Sequence, residues 1–150
     1  MKWLENPSQA RKILVLLVIL GLAILCLEVR YEHQAILVKH WQGWIPIAYS
    51  FAMVVTGLIS IFFWNKGGRY VVIIGFLIGV VIGLLGVWFH SEGKLINAVS
   101  QVIMVVFSEP GRIIADDGGP PVLAPLSLTG LGTVGVILCM THFPSKPEKK

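Results

Sequence analysis

The chain has 150 residues, 55% of them hydrophobic and only 13% charged, with a mean hydropathy of +0.80. That length accommodates one domain, and the apolar share exceeds that of an ordinary soluble domain. The formal net charge of +4 does not point to nucleic acid, because the basic residues lie between apolar runs rather than in a basic stretch among aromatics.

Four apolar runs follow in chain order, at 13–27, 44–64, 70–89 and 122–140. A helix rising about 1.5 Å per residue needs ~20 such residues to cross a ~30 Å hydrocarbon core. The second and third runs reach that length, the fourth nearly does, and the first does so with its flanks. The expected fold is therefore all-α: an integral membrane four-helix bundle forming a single domain, with spans about 10–29, 44–64, 70–89 and 122–140.

The first run follows Lys2 and resembles the apolar part of a signal peptide. No A-x-A site follows it, and Ala23-Ile24-Leu25-Cys26 is too bulky for lipoprotein cleavage, so it is expected to be retained as an anchor. The only cysteines, Cys26 and Cys139, fall in different runs near opposite membrane faces. A disulfide between them is not expected, and both read as small apolar filler.

Charge sets the expected orientation. Lys2, Arg11, Lys12, Lys66, Arg69, Lys146, Lys149 and Lys150 fall on one side of an alternating four-span chain, against Arg30, Lys39, Lys94 and Arg112 on the other. The positive-inside rule then puts both termini in the cytoplasm, in the inner (plasma) membrane of the cell. Trp41, Trp44, Trp64, Tyr70 and Trp88 stand near the span ends, where amphipathic rings anchor. Pro46 and Pro125 occupy first turns, where a missing N–H costs little.

The third span reads Gly75-x3-Gly79-x3-Gly83, then Gly86, and the second repeats small residues at Ala52, Thr56 and Ser60. Residues four apart lie near one helix face, so these seven positions are the expected helix-packing surface. A looser version, Gly132, Gly135 and Cys139, lies on the fourth span. No Asp, Glu, Lys or Arg interrupts any of the four runs. Proton relays, ion pathways and carrier sites place such residues inside the membrane, so an autonomous pump or carrier is not expected.

Chemistry, if any, collects on the outer face. Residues 28–42 contain neither Gly nor Pro, so the first helix is expected to run on, or to turn into an interfacial helix, as far as Gly43. His33 and His40 stand seven apart there, beside Glu28 and Glu32, and the third span ends at His90-Ser91-Glu92. Imidazole and carboxylate together suit zinc, copper or iron. The candidate metal ligands are thus His33, His40, His90, Glu32 and Glu92, with the ends of spans one and three expected to meet at one membrane face. No H-E-x-x-H or Glu-x-x-His pattern accompanies them. Residues 94–107 carry an apolar stripe of Leu95, Ile96, Val99, Val102, Ile103 and Val106 against Lys94, Asn97, Ser100 and Gln101. Too short to span, this segment is expected to be an extra interfacial or re-entrant helix between spans three and four. Asp116-Asp117-Gly118-Gly119-Pro120-Pro121 reads as a turn, since it lacks the alternating acids of a calcium loop. The short basic tail suits anionic lipid.

Neither a nucleophile–base pair nor a phosphate loop is recognisable, so no enzyme activity is expected. The first functional expectation is an auxiliary or structural subunit of an inner-membrane assembly, formed through glycine-faced helix packing. Its partners are the lipid bilayer and other membrane subunits or further copies of itself. The alternative is a membrane protein that binds a divalent metal, or less readily haem, through the outer His/acid cluster. No cofactor is identified.

Overall fold

The computed structural model of the chain describes residues 6–32, 34–39, 41–91, 93–94, 96, 99–100, 102–103, 107 and 123–141. Among the described residues the chain is all-helical, with no strand. Four long helices dominate: α1 (Pro7–Glu32), α3 (Trp44–Phe62), α4 (Gly68–His90) and α5 (Leu123–Met140), with a four-residue α2 (Gln34–Leu37) after α1. Three stretches, Pro7–Tyr31, Trp41–Phe62 and Gly68–His90, are long and apolar enough to cross a membrane; the fourth, Ala124–Met140, is shorter.

Local chemistry sets the ends. The Asn6 side chain accepts from the Ser8 N–H at 3.0 Å, and Pro7 opens α1 where its absent N–H is not needed. Helical backbone is described again directly beyond Glu32, at Gln34–Leu37, and a 3₁₀ turn at Trp41–Gly43 leads into α3; His33 and His40, within the expected continuation to Gly43, lie outside the described residues. Leu37 is buried there, with its Cδ2 3.0 Å from where a Cβ on Gly43 would stand.

The link from α3 to α4 is tight, so α3 ends two residues before the predicted limit. A 3₁₀ turn at Trp64–Lys66 leads to Gly67 with φ +102°, and the N–H groups of Lys66 and Gly68 both donate to Phe63 O, at 2.9 and 3.0 Å. Gly67 supplies a left-handed backbone, which side chains disfavour. Gly68 is needed for its small size instead, since a Cβ there would overlap Ser60 O and stand 2.9 Å from Phe63 O. α4 ends similarly. Gly93, with φ +75°, donates to Trp88 O at 2.9 Å, and the buried Ser91 hydroxyl donates to the same oxygen at 3.2 Å.

The four long helices pack as a closed square, α1 on α3, α3 on α4, α4 on α5 and α5 back on α1, the α4–α5 seam being the most extensive. α1 and α4 therefore lie across a diagonal. The centre holds Val15, Ile19, Leu22, Met53, Val72, Phe76 and Leu128, all buried. The outer surface carries apolar side chains on every helix, including Leu27, Phe51, Val81 and Ile137, each more than half exposed. In the segment expected to be interfacial, Ile96, Val99, Ser100, Val102, Ile103 and Phe107 have helical backbone. Ile96, Val99, Ile103 and Phe107 are exposed, and the rest of 95–122 lies outside the described residues.

The two hairpin glycines should respond differently. Gly67→Ala should cost about 1–2 kcal/mol, the left-handed penalty of an ordinary residue. Gly68→Ala should cost more, because a backbone oxygen must move to admit the methyl group. Thermal unfolding of both variants in detergent checks the order, and a Gly68→Ala protein as stable as wild type would contradict the close hairpin.

Candidate functional site

Of the predicted outer cluster, only the side chain of His90 falls among the described residues. Glu32 lies at the described end of α1 and His90 closes α4. The main packing partners of α1 are α3 and α5, and those of α4 are α3 and α5, so α1 and α4 stand across the bundle from one another. His33, His40 and Glu92 lie outside the described residues. Among the described residues no three His, Cys, Asp or Glu side chains are grouped to hold a metal.

What the chain does bring together is a set of glycine contacts. Gly79 and Gly83 are buried on α4, flanked by half-buried Gly75 and Gly86. Gly75 receives the Met53 thioether, and Gly79 receives the Tyr49 ring, whose Cζ would lie 2.8 Å from an added Cβ. The Tyr49 hydroxyl donates to Gly75 O at 2.9 Å, tying α3 to α4. On the other side, a Cβ on Gly83 would overlap the Thr129 hydroxyl and stand 2.8 Å from Pro125 O, and one on Gly86 would be 2.9 Å from Pro125 Cβ. α5 reciprocates: Gly132 faces Phe76 O, 2.9 Å from its would-be Cβ, and Gly135 is covered by the Phe76 ring.

The second predicted stripe is out of phase. Ser60 is buried, but Ala52 and Thr56 are exposed, and α3 turns Ile47, Ser50, Met53, Gly57 and Ser60 inward. Strict four-residue spacing rotates about 40° per step around a helix with 3.6 residues per turn. A mixture of threes and fours holds its face, and these residues are spaced by threes and one four. The exposed Thr56 hydroxyl satisfies itself on Ala52 O at 2.7 Å.

Two charged rims close the bundle. At the end carrying Pro7, Arg69 Nε donates to Cys139 O at 2.7 Å, placing a cation at the negative end of the α5 dipole. At the opposite end the Arg30 guanidinium stands 5.5 Å from the centre of the Trp44 ring. Sequence reasoning missed Tyr49, Thr129 and Arg69 as packing residues. A hydroxyl within an apolar run was the available signal for the first two.

Comparison with protein families, with characterised proteins and with solved structures finds no match to this chain.

The seam yields a direct contrast. Gly83→Ala should destabilise by about 1–3 kcal/mol, the usual range for overpacking. Gly130→Ala meets open space and should be neutral or slightly stabilising. Detergent melting curves that rank the two equally would show that α4 and α5 do not approach this closely.

Proposed function

We propose that the chain is a four-span integral membrane protein of the inner (plasma) membrane, with both termini cytoplasmic, acting as an auxiliary structural subunit of a membrane assembly. The observation that carries this reading is the inside-out distribution of side chains: large apolar groups are exposed along all four long helices while the interior is close-packed. A surface of that kind is stable in lipid and an aggregation hazard in water.

The polar groups agree. Thr56, Thr133 and Thr141 are exposed, and each hydroxyl donates to the carbonyl four residues back, at 2.7, 2.8 and 2.7 Å. In hydrocarbon a hydroxyl has no water to turn to, so this internal bond is the available solution. Orientation follows from the eight basic residues on the terminal side against four opposite. Phe76, Ile19, Leu22 and Val72 fill the centre, which favours a supporting role over conduction through the bundle. The α4 glycines already receive α3 and α5 side chains, so partners would meet the outer faces rather than this groove.

Two experiments follow. Asn65 and Lys94 are both exposed and lie at opposite ends of α4. After Asn65→Cys and Lys94→Cys substitution, an impermeant thiol reagent should label position 94 in intact cells and position 65 only after permeabilisation. Equal labelling would end the topology. Purification in mild detergent, followed by mass spectrometry, should recover one membrane protein in fixed stoichiometry with the chain. Recovery as a bare monomer at native expression levels would remove the subunit reading while leaving the topology standing.

A further inference from the structure

We propose that the groove between α1 and α3, at the end of the bundle that carries Pro7, is a binding site for one anionic phospholipid of the facing leaflet; this rests on the membrane reading above. The groove holds about 350 Å³ and is lined by Gln9, Lys12, Ile13, Leu16, Ile61 and Phe62. That volume falls within the range of small-molecule sites.

Its lining is graded. Gln9 and Lys12 stand at the rim, and Ile13 and Leu16 continue the same α1 stripe inward against Ile61 and Phe62. From Gln9 to Leu16 the helix rises roughly 10 Å. Polar groups followed by an apolar track reproduce the order of a lipid, with the phosphate at the interface and the acyl chain below. The Lys12 ammonium offers three donors on a flexible stem, which suits a phosphate whose position varies. The Gln9 amide can both donate and accept at the glycerol level. Arg11 adjoins Lys12, and Lys66 follows Phe62 by four residues, so the rim is basic and discriminates by charge. Four of the six lining residues are apolar, which a free phosphate would not use. Two helical turns are too short a track for a partner helix.

The test is native mass spectrometry of the full chain in detergent, titrated with dioleoylphosphatidylglycerol or dioleoylphosphatidylcholine. Wild type should prefer the anionic lipid about fivefold, the factor that corresponds to ~1 kcal/mol per basic residue at a membrane surface. Lys12→Gln should bring the two lipids close to equal occupancy, and Lys94→Gln at the opposite rim should leave the preference intact. Leu16→Trp, which fills the track, should lower occupancy by both lipids. The proposal is overturned by equal binding in wild type, by a preference surviving in Lys12→Gln, or by a preference lost equally in Lys94→Gln. Displacement of the lipid by glycerol 3-phosphate at the same concentration would also overturn it, since the chains would then contribute nothing. Alkaline carbonate extraction separates the two levels. Release of the chain from membranes would fell the membrane reading and the lipid site together, whereas a retained chain without lipid preference would fell the site alone.

Discussion

Everything in this bundle depends on how closely α4 and α5 can approach. If the bundle sits in lipid, as proposed, there is no gain between helices from hiding apolar surface, because the tails are as apolar as the side chains; dispersion at short range must hold them. The two helices answer this reciprocally. α4 offers Gly83 and Gly86 to Thr129 and Pro125, and α5 offers Gly132 and Gly135 to Phe76 and Val80. Each helix supplies both knob and hole, so neither can slide without driving a side chain into backbone. Phe76 is fully buried as a result.

The same device recurs on every side of the square. Ile19 of α1 enters the gap at Gly57 of α3, 2.7 Å from a would-be Cβ, and Met53 and Tyr49 of α3 enter at Gly75 and Gly79 of α4. Leu131 of α5 lies 3.3 Å from the Cβ position of Gly21 on α1. Glycine weakens a helix in water, where exposed backbone can trade its bonds for solvent. In the hydrocarbon setting proposed above that trade would be closed, so the residue would contribute its small size at lower cost. The polar side chains obey the same constraint: Tyr49 and Thr129 find carbonyls at Gly75 and Pro125, and the Cys26 thiol lies 3.6 Å from Ile47 O.

Much of this was legible in the chain itself, and what was not has a physical reason. Run length identified the long helices because the requirement for ~20 apolar residues is one-dimensional. The glycines of α4 stood out because four closely spaced ones on one side are a strong pattern. The face of α3 was misjudged because phase is a subtler quantity than spacing: Ala52, Thr56 and Ser60 drift around the helix, whereas Met53, Gly57 and Ser60 hold their side. Adjacency was beyond one-dimensional reasoning altogether. Alternating long helices bring the ends of α1 and α4 to one end of the bundle, but only the order of packing puts the two helices across a diagonal. Arg69 likewise read as a topogenic charge, and its bond to Cys139 O appears only once α5 is placed beside α4.

The distribution of glycine also accounts for where the bundle opens. The α1–α3 seam is pinned at mid-height by Ile19 against Gly57 and, towards the other end, by Cys26 near Ile47 O. Toward the end that carries Pro7, the facing residues are Ile13 and Leu16 on one helix and Ile61 and Phe62 on the other. None of these is small, so α1 and α3 cannot close there as α4 and α5 do. The gap follows from packing geometry, and Phe62, 85% exposed, shows how far the seam falls short of covering its own wall. Lipid is the solvent best able to fill such a wedge, because a flexible acyl chain conforms to an irregular apolar track. On the proposed lipid reading, the lysine at its rim would turn a packing shortfall into selectivity for charge, at the end of the bundle where Arg11, Lys66 and Arg69 also lie.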